Sequence, residues 1–263
     1  MKKGVCFLIV LVIFSVSASA GFSDEFSGFF NTIFKVGFEP ELHEEYSTPN
    51  ALGSIVFIHG LFGNRDVWKN VLPDYFGEEY NIFTYEYPTH DSYKTHAMKL
   101  AELLKDVRGK IYLVGKSMGG LVARESAHYG YVNNFGIDVK KVILIGTPNS
   151  GSPIAGFVNA VEKIFYGGFW ANPESVGMLE SGDDVRRIPG VEYYAIAGVA
   201  KDFRLFDGMF FGEDNDDTVS FDSAIFVGGD ELKHEKIFIV SGGHNSLQDE
   251  DSSRLFLKEI IGN

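Results

Sequence analysis

Gly115-Lys116-Ser117-Met118-Gly119 is a G-x-S-x-G pattern directly after the apolar run Ile111–Val114 and directly before a helix-period segment that opens at Gly120. A serine on such a sharp strand-to-helix turn presents its hydroxyl at the end of the strand, and small residues two before and two after it let the strained turn close. With 30 glycines in 263 residues, the bare pattern arises easily by chance. Its place at a strand–helix junction is what gives it weight, and Ser117 is the candidate nucleophile. A serine hydroxyl is a poor nucleophile unless a base lies within hydrogen-bond reach and a carboxylate orients that base.

Seven histidines compete for the role of base: His43, His59, His90, His96, His128, His234 and His244. Only His244 follows the last apolar run in a glycine-rich turn, Ser241-Gly242-Gly243-His244, which puts its ring at the same sheet edge as Ser117. His96 and His128 fall on helical segments and read as surface or packing residues, and His43 and His234 sit in polar surroundings. His90, in Pro88-Thr89-His90-Asp91, ends a strand and could line the pocket, but as the base it would violate the usual chain order. The carboxylate is expected between Ser117 and His244. Gly212-Glu213-Asp214-Asn215-Asp216-Asp217-Thr218-Val219-Ser220 offers three aspartates. The apolar Val219 and short Ser220 point Asp216 inward and leave Asp214 wet, with Asp217 the fallback. A solvated acidic loop is the plain alternative for any one of them. A calcium loop is also conceivable, although the Gly and terminal Glu of an EF-hand are missing.

An acyl-transfer intermediate also needs preorganised N–H donors. Ile55-Val56-Phe57-Ile58-His59-Gly60-Leu61-Phe62-Gly63 is a strand entering a glycine-rich turn, which can offer the Leu61 N–H. The Met118 N–H follows the nucleophile at a helix N-terminus. His59 then braces the turn instead of catalysing.

The elements that must position these residues are legible as apolar runs: Ser54–Ile58, Asn81–Tyr87, Lys110–Val114, Lys141–Ile145, Glu192–Ala197 and Lys236–Val240. Continuous Val/Ile/Phe runs alternating with helices are what a parallel sheet covered on both faces requires. Ala97, Leu100, Ala101, Leu104 and Val107 recur at helical spacing, with Gly109 as a stop. Leu121, Val122, Glu125 and His128 form a second helix that Gly130 could end, and a last one starts near Asp249 with Leu255, Phe256, Ile260 and Ile261 inward. Residues 150–190 exceed the usual connection length and carry Phe157, Phe165, Phe169 and Trp170, an apolar insertion suited to a ligand site. Phe22, Phe26, Phe29, Phe30, Ile33 and Phe34 lie on one helix face.

Thirty-six acidic against 23 basic residues give a formal charge of −13, which repels phosphate backbones and excludes nucleic-acid binding by bulk charge. Met1-Lys2-Lys3, the apolar Val5–Phe14 and Ser17-Ala18-Ser19-Ala20 have the three-part layout of a secretory signal peptide, its apolar stretch shorter than the roughly 20 residues of a membrane span. Cleavage after Ala20 would remove Cys6, the one cysteine. The expected organisation is residues 1–20 as signal, 21–53 as an N-terminal segment with the aromatic helix, and 54–263 as one catalytic domain.

Taken together, His59-Gly60-Leu61-Phe62-Gly63, Gly115-Lys116-Ser117-Met118-Gly119-Gly120, Gly146-Thr147-Pro148-Asn149-Ser150-Gly151-Ser152-Pro153, Asn215-Asp216-Asp217-Thr218-Val219-Ser220 and Gly243-His244 resemble the α/β-hydrolases of the bacterial lipase and esterase type. The resemblance runs from about Ser54 to the C-terminus. It implies an α/β-hydrolase fold, a mostly parallel doubly wound sheet of about six strands with helices on both faces, a Ser-Asp-His triad with Asp216 as acid, and a lid after Ser152. The sequence departs from the pattern at two positions. Lys116 stands where a histidine commonly precedes the nucleophile, and Asp217 where a glycine commonly follows the acid. Some such lipases bind calcium through an aspartate just after the histidine, but Asn245, Ser246 and Leu247 follow here, so neither metal nor cofactor is expected. The expectation is an exported serine hydrolase acting on small-molecule or lipid esters, with transient contact to a lipid interface possible. Acyl transfer or phospholipid or glycolipid deacylation by the same triad, and a non-catalytic binding module, are its rivals.

Overall fold

The computed structural model describes residues 38–61, 63–71, 76, 78–89, 91–152, 185–199 and 214–262. The expected signal, the aromatic helix of 22–34, His90 and the four aromatics of the insertion lie outside these residues.

Every expected apolar run forms a strand: β2 (Ser54–Ile58), β3 (Asn81–Glu86), β4 (Lys110–Lys116), β5 (Asp138–Ile145), β6 (Glu192–Gly198) and β9 (Ile237–Val240). The sheet nevertheless has seven strands, in the order β1-β3-β2-β4-β5-β6-β9. The seventh, β1 (Glu41–Tyr46), pairs antiparallel with β3 at the edge, while all the other pairs are parallel. Its sequence, Glu-Leu-His-Glu-Glu-Tyr, is mostly exposed, so it lacks the apolar signature of the buried strands. Charged residues on an edge strand block further pairing. The edge is pinned instead by polar contacts, Thr84 Oγ1 donating to Glu45 (2.6 Å) and Arg65 reaching Glu45 (3.2 Å) and Glu86 (3.6 Å). A small second sheet pairs β7 (Phe226–Val227) with β8 (Asp230–Glu231).

Strand side chains alternate between two cores. Val56, Ile58, Leu113, Val142 and Leu144 face one way, packed with Leu100 and Leu104 of α1 (Tyr93–Leu104) and Leu121 and Val122 of α2 (Met118–Val132). Ile55, Phe57, Val114, Ile143 and Ile145 face the other, packed with Trp68 and with Leu257, Ile260 and Ile261 of α4 (Asp251–Gly262). Each such buried aliphatic side chain contributes about 1.5–3 kcal/mol, which is what fixes strand register and holds the strand ends in line. A short helix, α3 (Phe221–Ile225), is capped by the Ser220 hydroxyl accepting from the Ser223 N–H (3.2 Å).

Three helix expectations are corrected. The helix expected to run through Val107 to a stop at Gly109 ends instead at Leu104, with Lys105 as its cap. Gly130 does not end α2, because its lack of a side chain serves packing: a Cβ there would lie 2.8 Å from Ile137 Cδ1. The helix stops at Asn133, and Asn134 (φ 55°) and Gly136 (φ 72°) turn the chain into β5. In α4, Leu255 is 61% exposed and Leu257 is buried in its stead, since the helix face set by Leu257, Ile260 and Ile261 leaves position 255 on the solvent side.

Candidate active site

Ser117 stands alone between the end of β4 and the start of α2, with φ 53° and ψ −126°. A non-glycine residue tolerates that backbone only when its surroundings over-determine it. They do so here: the Ser117 N–H donates to the Ile145 carbonyl (2.8 Å), and its own carbonyl accepts from Gly120 N (3.0 Å). The turn closes because α2 enters against β2, where a Cβ on Gly119 would fall 2.3 Å from the Ile58 carbonyl oxygen. Met118, first residue of the helix, has an N–H without an intrahelical acceptor.

The turn after β2 lies against Ser117. A methyl group on Gly60 would sit 2.9 Å from Ser117 Cβ and 3.6 Å from its hydroxyl oxygen, so Leu61 follows directly on the residue that abuts Ser117. The turn is closed by Gly63 N donating to the Gly60 carbonyl (3.1 Å). His59 is fully buried below it: Nδ1 lies 3.0 Å from the Gly60 carbonyl, Nε2 accepts from Tyr87 N (3.3 Å), and the Tyr87 ring stacks at 4.4 Å. With Nε2 accepting, Nδ1 carries the proton and donates to Gly60. His59 braces the turn.

Beyond β6, Asp216 is 1% exposed. Its Oδ2 accepts from His244 Nδ1 (2.7 Å), and its Oδ1 accepts from the N–H groups of Thr218 (3.1 Å) and Val219 (2.7 Å). The two residues are joined a second time through the backbone, His244 N donating to the Asp216 carbonyl (2.7 Å). Of the three acidic candidates, the structure brings Asp216 to His244. Asp214 is exposed, and Asp217 turns through φ 75° with its N–H on Asn215 Oδ1 (2.8 Å). Room for the Asp216–His244 pair is made after β5 by Gly146 (φ 53°), where a Cβ would lie 2.8 Å from Asp216 Oδ2 and 3.1 Å from His244 Nδ1. Ser117, Leu61, Asp216 and His244 thus all sit beyond the carboxyl ends of parallel strands, where open α/β sheets place their ligands.

The sequence from 55 to 255 matches the model of the alpha/beta hydrolase family. The chain belongs to that family. No curated protein matches it in sequence. Among solved structures it is similar to the mature Bacillus licheniformis lipase BlEst2, with 18% identity, 85% of this chain and 97% of that one covered, and a TM-score of 0.62. It is similar also to the metagenomic carboxyl esterase MGS0156 (14% identity, 82% and 76% covered, TM-score 0.56). A third is YbtT, a type II thioesterase of yersiniabactin biosynthesis (14% identity, 84% and 96% covered, TM-score 0.55). Likeness at these identities is likeness of fold.

As an alpha/beta hydrolase, the protein keeps its remaining described histidines out of this cluster. His96 is buried near the Tyr87 ring (5.0 Å), His43 lies by Glu41 (3.7 Å) and Glu86 (3.9 Å) at the β1 edge, and His234 begins a one-turn helix before β9. Among the described residues, no three or more His, Cys, Asp or Glu side chains are grouped so as to hold a metal ion. Two supports escaped the sequence reading. Arg124, 1% exposed, donates to Asn149 Oδ1 (2.9 Å) and to the Val185 carbonyl (2.7 Å), and Asn149 donates to the Ala224 carbonyl (2.8 Å). This network ties α2 to Asn149, just before the insertion, to Val185 near the insertion's far end, and through Asn149 to α3. The other is Lys116, whose ammonium reaches the histidine loop. Nothing in the type or spacing of these residues marked such bonds, because most of them end on backbone carbonyls.

Proposed function

We propose that this alpha/beta hydrolase cleaves carboxylic esters through an acyl-enzyme, with Ser117 as nucleophile, His244 as general base and acid, and Asp216 as its orienting carboxylate. The observation that carries the reading is the buried Asp216–His244 pair, made twice over, at the same sheet edge as a serine held at positive φ. With Nδ1–H committed to Asp216, the lone pair of Nε2 is the one available to a serine proton. Ser117 Oγ attacks the ester carbonyl as His244 Nε2 takes its proton. The resulting oxyanion is held by the N–H groups of Leu61 and Met118. Collapse expels the alcohol, which receives the proton from His244, and water repeats the sequence to release the acid.

The aromatic insertion of the sequence favours lipid-like acyl esters, and residues 1–20 favour action outside the cytoplasm, in periplasm or medium. Sequencing the N-terminus of the protein recovered from an export-competent host tests the latter; Gly21 is the expected first residue. For the chemistry, wild type is expected to form a fluorophosphonate adduct that Ser117→Ala abolishes. An unlabelled wild type, or an adduct that survives the substitution, would sink the assignment. Initial rates over a series of acyl chain lengths, as oxygen esters and thioesters, with and without a lipid interface, then define the substrate.

A further inference from the structure

The residue before the nucleophile is one of the two places where the sequence leaves the family pattern, and the structure gives it a partner. Lys116 is only 8% exposed. Its ammonium donates to the carbonyl of Asn245 (3.1 Å), the residue after His244, across 129 positions of sequence. The same carbonyl accepts from Gln248 Nε2 (3.1 Å), itself 3% exposed. The root of the Lys116 side chain adjoins Ser117, whose N–H is locked to β5. Its tip holds the peptide that follows the base. Asp216 grips His244 through Nδ1 and through the main-chain N–H; downstream, Leu247 is buried in the core and Ser246 N–H donates to the Gly243 carbonyl, and the Lys116 bond refers this side of the loop to the Ser117 turn.

We propose that Lys116 is a positioning residue that sets the distance and orientation between Ser117 and His244 by tying the histidine loop to the nucleophile turn. The proposal rests on the triad reading above. A charge-assisted hydrogen bond in a buried setting is among the stronger ones available to a loop, and a short tether from one reacting partner to the other acts on the coordinate that proton transfer requires. Gln248 anchors that carbonyl from within the loop, so it shapes the loop without referring it to Ser117.

Lys116→Met removes the tie while keeping most of the stem volume. Turnover of a soluble p-nitrophenyl ester is expected to fall about 10- to 100-fold, since misplacement on the ångström scale costs up to about that much. KM should change less than about threefold, because substrate contacts are untouched. The rate of fluorophosphonate labelling should fall in parallel, and Lys116→Arg, which keeps a charged donor, should recover most of the loss. Circular dichroism at the assay temperature separates misplacement from unfolding. If Lys116→Met does not fold, Lys116→Leu, which also lacks a donor, is read in its place with the same expectation. Unchanged kcat in the folded variant, a loss confined to KM, or no recovery with arginine overturns the proposal. Ser117→Ala and His244→Ala run in the same assay keep the two readings apart. Full turnover in either defeats the triad itself, whereas their inactivity beside a fully active Lys116→Met defeats only the tether.

Discussion

Asp216→Asn is nearly isosteric, and the hydrogen bonds around the carboxylate dictate how the amide must lie. The Oδ1 position faces two backbone donors, Thr218 N (3.1 Å) and Val219 N (2.7 Å). An NH₂ group there would set donor against donor twice, leaving buried N–H groups unsatisfied at about 1–3 kcal/mol each. The amide oxygen therefore takes that place and the NH₂ takes the Oδ2 position, 2.7 Å from His244 Nδ1. Facing a donor, Nδ1 must become an acceptor, so the ring proton moves to Nε2 and the base has no lone pair for the serine proton. In serine hydrolases with this triad the same change costs about 10⁴ in kcat, or about 5.5 kcal/mol. We expect a loss of 10³- to 10⁴-fold in kcat on a p-nitrophenyl ester at pH 7, with the thermal midpoint little moved because every backbone bond to Oδ1 persists. An Asp216→Asn protein that is folded and retains more than a tenth of wild-type turnover would refute the tautomer argument.

Gly146→Ala places a methyl 2.8 Å from Asp216 Oδ2 and 3.1 Å from His244 Nδ1 at a φ of 53°. It should cut kcat about 100-fold or more and lower stability by about 1–2 kcal/mol, read by ester turnover and urea denaturation. Asp217→Gly relieves a φ of 75° and is expected to keep turnover within about threefold while leaving stability equal or up to about 1 kcal/mol higher; loss of turnover by orders of magnitude would return the triad acid to Asp217. The hydrogen bond from Lys236 holds the Glu192 carboxyl below its ordinary value, with a further bond from Tyr194. A depressed carboxyl contributes stability that is full above its unfolded pKa and is lost as pH falls through the folded one. Glu192→Gln should therefore melt slightly below wild type at pH 7, by the 0.2–1 kcal/mol or so typical of a half-exposed pair, and the gap should close on acidification; a gap that persists at low pH contradicts this origin.

The buried strands were legible because a strand covered on both faces needs an unbroken apolar run, and Ser54–Ile58 and Lys141–Ile145 are short runs rich in β-branched residues. β1 was not, because an edge strand is held by one neighbour and by polar contacts of Glu45, and Glu-Leu-His-Glu-Glu-Tyr contains no apolar run. Ser117, His244 and the acidic loop were visible from residue type and position at strand ends. What separates Asp216 from Asp217 is one turn of backbone, in which residue 216 is aimed at two N–H donors and residue 217 takes a left-handed conformation. Lys116 stood out in sequence only as a departure from pattern. Its partner is a main-chain carbonyl, which every residue possesses and none advertises.

The backbone of Ser117 has an evolutionary corollary. At φ 53° glycine would sit without the strain of about 1–3 kcal/mol that a side chain incurs there. On the proposed mechanism, replacing Ser117 by glycine would give an inert protein that is expected to be more robust than wild type. Under that mechanism, drift toward silent, sturdier copies would run downhill in free energy, and a nucleophilic Ser117 would persist only where selection for turnover outweighs that slope.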